Sequence, residues 1–106
     1  MFKCNQHKLP YNGYYIENDR FNSDIVPRLL EHYEWLVLCS PEESTPGMTK
    51  LSFRTNRKDI NLGKCLRELG RGGGGHPGAA EQMIPTAEKD EFINRLVEYL
   101  FEGKDT

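Results

Sequence analysis

The sequence predicts an α/β fold, a single small domain in which a mixed β-sheet is flanked by helices. Three observations carry that expectation. Trp35-Leu36-Val37-Leu38-Cys39 is an unbroken apolar run of strand length, the pattern of a strand buried on both faces. Met48 to Thr55 alternates, with Thr49, Leu51, Phe53 and Thr55 on one face and Met48, Lys50, Ser52 and Arg54 on the other. Two later segments change to helical period, Leu62, Cys65, Leu66 and Leu69, then Phe92, Ile93, Leu96, Val97 and Leu100.

Residues 1–13 carry Pro10 and Asn12-Gly13, turn chemistry without periodicity, and read as a lead-in. Tyr14-Tyr15-Ile16 is the first strand. Asp24 caps a helix with Pro27 in its first turn, and Ile25, Val26, Leu29, Leu30 and Tyr33 form its stripe. After the strand at Trp35–Cys39, Ser40 to Gly47 holds two prolines and two glutamates and reads as an exposed loop. The alternating strand follows, then a turn at Asn56-Arg57-Lys58, with Asp59 as the N-cap of the next helix. Gly63 inside that helix costs about 1 kcal/mol relative to alanine, which signals a close approach there. Gly70 suits the helix end. Ala79 to Ile84 forms the last strand. Thr86 caps the final helix, whose first turn holds Glu88, Asp90 and Glu91 at the positive end of the dipole, and Gly103 ends it. The order is strand, helix, strand, strand, helix, strand, helix.

At 106 residues the chain holds one core and is too short for two, so residues 1–106 read as one domain. No apolar run has the length of a membrane span, and the N-terminus lacks the apolar core of a signal peptide. Cys4, Cys39 and Cys65 are widely spaced, which suits reduced, buried thiols and a cytoplasmic location better than a disulfide framework or a zinc site.

The densest signal is Gly70-Arg71-Gly72-Gly73-Gly74-Gly75-His76-Pro77-Gly78-Ala79-Ala80. A folded domain keeps such a run where side chains would obstruct a ligand or a second backbone. Successive unhindered N–H groups make an anion-binding nest, with His76 at its rim, and point to a phosphate or nucleotide site. The literal G-x-G-x-x-G from Gly70 to Gly75 follows a helix, so it is not the dinucleotide fingerprint, and no Walker-type loop is present. From Lys50 to Arg71, seven bases (Lys50, Arg54, Arg57, Lys58, Lys64, Arg67, Arg71) face two acids, a local balance of +5 in a chain of net charge −2. That concentration leads into the glycine run and favours a polyanionic ligand.

Ser52-Phe53-Arg54-Thr55 followed by Gly72-Gly73-Gly74-Gly75-His76-Pro77-Gly78-Ala79-Ala80 resembles the DHH-associated domain of the Asp-His-His phosphoesterases, over roughly residues 23–101. That family includes oligoribonucleases, single-strand exonucleases, bisphosphonucleotide phosphatases and cyclic-dinucleotide phosphodiesterases. The resemblance implies a small substrate-binding domain that holds phosphate and sugar across a cleft, while manganese or magnesium belongs to a separate catalytic domain. Carried over by position, it assigns substrate binding to Ser52, Arg54, Gly73, Gly74, Gly75 and His76, and no catalytic or metal-binding residue to this chain. The alternation agrees, since Ser52 and Arg54 share a face and arginine is a planar, multi-donor anion clamp.

The chain departs from the family pattern at Thr55, where serine is common, and at Glu81, where glycine is usual. It has no Asp-His-His triplet, and its aspartates are not spaced with histidine as a two-metal site requires. The expected role is therefore substrate recognition for a phosphoesterase acting on nucleotides or short oligonucleotides, with a DHH catalytic domain in cis or in trans. A non-catalytic nucleic-acid-binding module, of the kind attached to alanyl-tRNA synthetases, is the alternative, and a protein-interaction domain with a degenerate site is a third.

Overall fold

Six strands hydrogen-bond into one sheet in a computed structural model that describes residues 8–17, 25–41, 44–70 and 72–103. They are β1 (Lys8–Leu9), β2 (Gly13–Glu17), β3 (Trp35–Pro41), β4 (Met48–Thr55), β5 (Gly74–His76) and β6 (Ala79–Pro85), in the spatial order β1-β2-β3-β4-β6-β5. Only β2 and β3 run parallel, and the other four pairs are antiparallel. A parallel pair needs a crossover, and α1 (Ile25–Leu30) lies within it. α2 (Leu62–Leu69) connects β4 to β5, and a 3-10 turn at Thr86–Glu88 leads from β6 into α3 (Lys89–Glu102).

The expected α/β class and mixed sheet are what the chain adopts, with two short strands added. β1 has two residues, too few for any period to show, and it pairs Lys8 with Tyr14 and Leu9 with Gly13. The indole N–H of Trp35 donates to Pro10 O (3.0 Å), which fixes the turn between β1 and β2 against the core. β5 is made of Gly74, Gly75 and His76, so side-chain alternation had almost nothing to report.

The sheet's two faces are covered unequally. Val37, Leu51, Phe53, Ala80 and Ile84 pack with the inner stripes of α2 and α3 into one buried cluster. Burying a leucine or phenylalanine side chain stabilises by about 1.5–3 kcal/mol, so this layer carries most of the fold's favourable energy. On the other face, Leu36 and Leu38 of β3 are buried, and α1, which has no buried residue of its own, packs against β3. Over β4 and β6 that same face is open: Glu81 and Met83 are exposed, and Lys50 and Arg54 are half-buried.

Several local expectations change. Asn61, not Asp59, caps α2, its side-chain oxygen accepting from Lys64 N at 2.9 Å. Asp59 is engaged elsewhere, its carboxylate held in a two-point pair by the Arg57 guanidinium, which holds its pKa below the usual carboxylate range. Thr86 does not cap α3. Its hydroxyl bonds that of Thr49 (2.6 Å) and it opens the 3-10 turn, so α3 begins three residues later. The strand from Trp35 runs on through Ser40 and Pro41, which were expected in the loop. Asp24 lies outside the described residues. Gly70 and Gly103 end their helices with left-handed backbone, as expected.

Cys39 and Cys65 are free, buried thiols. Burial, with the Glu68 carboxylate adding to it, pushes Cys65 up to about 12, and burial raises Cys39 as well. In the unfolded chain a thiol ionises near 8.5. A folded-state value above the unfolded one gives stability that is complete below about pH 8.5 and is lost as pH rises toward 12. Urea unfolding at pH 7 and at pH 10.5 should show Cys65→Ala losing less stability than the wild type over that interval, by about 1 kcal/mol or more. Parallel losses in the two proteins would rule out this account of the alkaline limb.

Candidate substrate-binding face

The predicted site residues converge through the register of the sheet. Leu36, Arg54, Ala79 and His76 are successive Cα partners across β3, β4, β6 and β5, so Arg54 and His76 belong to one cross-strand row. Strands are spaced by about 4.8 Å, which sets the two backbones roughly 10 Å apart across Ala79. The next row is Leu38, Ser52, Glu81 and Gly74. Ser52 is buried, with 8% of its surface exposed, Arg54 is half-buried, and His76 is exposed at the sheet edge. Arg54 Nη1 donates to Phe53 O at 3.0 Å, which holds the guanidinium close to its own strand.

The glycine run is an edge strand packed against α2, and much of its composition answers to the chain's own backbone. A Cβ at Gly63 would lie 2.2 Å from the Gly75 carbonyl oxygen, the close approach that the glycine in α2 signalled. Gly75 has φ +146°, and a Cβ there would meet Ala79 O and Ala80 Cα at 2.7 Å. At Gly73 it would meet the Gln82 amide oxygen at 2.1 Å. Gly74 differs: its nearest neighbour would be Arg67 Cγ at 3.5 Å, an ordinary contact. Of the two readings of the run, an approaching backbone accounts for Gly75, while at Gly73 the nearest group is the Gln82 side chain.

Three hydrogen bonds fix the hairpin that follows. Pro77 O accepts from Leu62 N (2.9 Å) at the start of α2, and Gly78 O accepts from Thr55 N (3.0 Å) at the end of β4. Arg67 Nη1 donates to Gly75 O at 3.2 Å. His76 is therefore carried on a segment anchored to both a helix and the central strand.

The concentration of bases is dispersed by the fold. Arg57 is clamped to Asp59 and lies over the Phe101 ring at 5.5 Å. Arg67 serves Gly75, and Lys50 pairs with Glu81 at 3.3 Å. Arg71 lies outside the described residues. Arg54 and Lys50 lie on the open face, both on β4 and on the same side as Ser52. The Lys50–Glu81 pair escaped the sequence reading because it depends on which residue of β6 stands opposite β4. Lys50 itself was legible, since the alternation places it with Ser52 and Arg54.

Among the described residues, no three His, Cys, Asp or Glu side chains come together as metal ligands, and no chemical step through a metal is assigned to this chain. The two described thiols are buried and raised, which removes them as nucleophiles. The open face carries a guanidinium, an ammonium, a hydroxyl, an imidazole and an edge strand of small residues. Among the described residues no helix is long and apolar enough to cross a membrane.

The family model for the DHHA1 domain matches residues 22–102. Among solved structures, the pGpG-specific phosphodiesterase PggH from Vibrio cholerae is similar, with a TM-score of 0.67 and 17% sequence identity over 87% of this chain and 34% of that one. The chain thus spans about a third of that protein, and the likeness is one of fold. None of the curated proteins matches the chain.

The packing of the glycine run separates two neighbouring substitutions. Gly75→Ala places a side chain against the β6 backbone in a conformation that favours glycine, and should cost about 2 kcal/mol or more. Gly74→Ala meets only ordinary contacts and should stay within about 1 kcal/mol of the wild type. Urea melts of the two variants compare them directly. Equal destabilisation would mean that the edge strand does not pack on β6 and α2 as described.

Proposed function

The chain belongs to the DHHA1 domain family, the domains associated with DHH-family phosphoesterases, and from that premise we propose that it is the substrate-recognition domain of such an enzyme. It binds the phosphate and sugar of a nucleotide or short oligonucleotide on the open half of the sheet. Arg54 is the principal anion clamp, because a guanidinium offers a planar fork of donors matched to phosphate oxygens. Ser52 adds a hydroxyl one row away, and His76 closes the row at the edge. The backbone of Gly73, Gly74 and Gly75 lets the ligand lie close to the sheet edge. Hydrolysis belongs to a DHH catalytic domain, in cis or in trans, that carries manganese or magnesium.

The single observation that carries this reading is the register: Arg54 and His76 fall in one cross-strand row, on the face where Glu81 and Met83 of β6 are exposed. A structural charge on a strand needs no such partner and no such opening. A cytoplasmic setting fits the free thiols Cys39 and Cys65, and we place the protein there.

Titration of a 5′-phosphorylated oligonucleotide at fixed salt tests the assignment. Arg54→Ala should weaken binding by one to two decades, as expected for a charge-assisted hydrogen bond of about 1.5–3 kcal/mol. Its melting temperature should stay near that of the wild type, because Arg54 belongs to no apolar stripe. Unchanged affinity would assign this face to the fold or to a protein partner.

A second expectation concerns catalysis. Incubated with manganese or magnesium, the chain by itself should leave short oligonucleotides and bisphosphonucleotides intact. Turnover that a chelator abolishes and that survives repeated purification would place the chemistry on this chain.

A further inference from the structure

A carboxylate stands in the row next to Arg54, on a face otherwise suited to anions. Glu81 is the Cα partner of Ser52 on one side and of Gly74 on the other. Its Oε1 lies 3.3 Å from Lys50 Nζ, half of its side chain is exposed, and Lys50 is its one partner among the described residues. Left alone, such a charge would repel a phosphate held by Arg54. Lys50 offsets it, so the carboxylate adds an acceptor to the face without adding an uncompensated negative charge of its own.

The chemistry of that acceptor is restrictive. An ionised carboxylate accepts hydrogen bonds and donates none, so its ligand must present a donor. Residues two apart on one strand face are separated by about 6.7 Å, which sets Glu81 one such step from the row of Arg54 and Ala79. In a nucleotide whose phosphate lies on Arg54, the sugar comes next along the ligand, and the base lies beyond it. Within a chain of nucleotides the sugar's remaining donor is the 2′-hydroxyl, present in RNA and absent from DNA. Carboxylates bind this hydroxyl in dinucleotide-binding folds for the same reason.

We infer that Glu81 is a specificity-determining residue that accepts a hydrogen bond from the ribose 2′-hydroxyl, making the site selective for ribonucleotides over deoxyribonucleotides. The inference rests on the phosphate-site reading given above. Lys50 acts through Glu81, holding one carboxylate oxygen and leaving the other for the sugar.

The test uses two probes, 5′-phosphorylated diadenylate and its 2′-deoxy counterpart, titrated at fixed salt into wild type, Glu81→Ala, Glu81→Gln and Arg54→Ala. Wild type should prefer the ribose form by about ten- to a hundred-fold, the effect of one hydrogen bond to a charged group. Glu81→Ala should bind both forms equally, and Glu81→Gln, which keeps an acceptor without the charge, should retain part of the preference. Arg54→Ala should weaken both forms by the same factor and leave the preference in place. Equal affinities in the wild type, with Arg54→Ala still weakening both, would overturn the sugar assignment alone. So would Glu81→Ala tightening both probes equally, since the carboxylate would then act only by repulsion. Binding of neither probe, or binding indifferent to Arg54, would remove the phosphate site itself and the sugar assignment with it. Thermal melts of each variant show that the sheet is intact.

Discussion

The contact on which the site depends is that of α2 with the edge strand β5, where Gly63 leaves room for the carbonyl oxygen of Gly75. A Cβ at position 63 would stand 2.2 Å from that oxygen, so any side chain would push helix and strand apart. Around this contact the chain adds directed bonds, from Leu62 N to Pro77 O and from Arg67 Nη1 to Gly75 O. An edge strand of three residues, two of them glycines, has little stability of its own, because glycine loses the most backbone freedom on ordering. Its place beside β6 is held by the helix behind it. Move α2 and β5 is lost, and His76 leaves the row that contains Arg54.

The second constraint is the unequal cover of the two sheet faces. α2 and α3 supply one face with a dense apolar layer that includes Leu62, Leu66, Phe92 and Leu96. α1 is short, has no buried residue, and packs against β3 on the other face. The part of that face over β4 and β6 is left to Lys50, Ser52, Arg54, Glu81 and Met83. The polar residues of that face are thereby separated from the apolar layer that stabilises the fold. Thr49, Leu51, Phe53 and Thr55, the opposite face of the same β4, are all buried.

Electrostatics on the open face are local. The sequence concentrates bases between Lys50 and Arg71, yet the fold sends Arg57 to Asp59 and Phe101 and commits Arg67 to a backbone carbonyl. What reaches the face is a short motif on β4, a cation, a hydroxyl and a second cation at alternate positions, with a carboxylate facing it from β6. Exposed ion pairs contribute little to stability, so the Lys50–Glu81 pair matters more for the charge it presents than for the energy it adds.

The sequence by itself determined the α/β class, the strands at Trp35–Cys39 and Met48–Thr55, the stripes of α2 and α3, and the side of β4 on which Ser52 and Arg54 lie. These are consequences of period, and period is written in the order of apolar and polar residues. It also identified Gly63 as a point of close approach, because a glycine inside a helix carries a local cost that something must offset. Tertiary structure alone decided that the approaching group is the backbone of Gly75, that the glycine run is a strand, and that Asn61 rather than Asp59 caps α2. It alone set Ala79 between Arg54 and His76, and Glu81 opposite Ser52. Those relations depend on cross-strand register and on competition between distant partners. A three-residue strand with one side chain, that of His76, leaves no pattern from which either can be read.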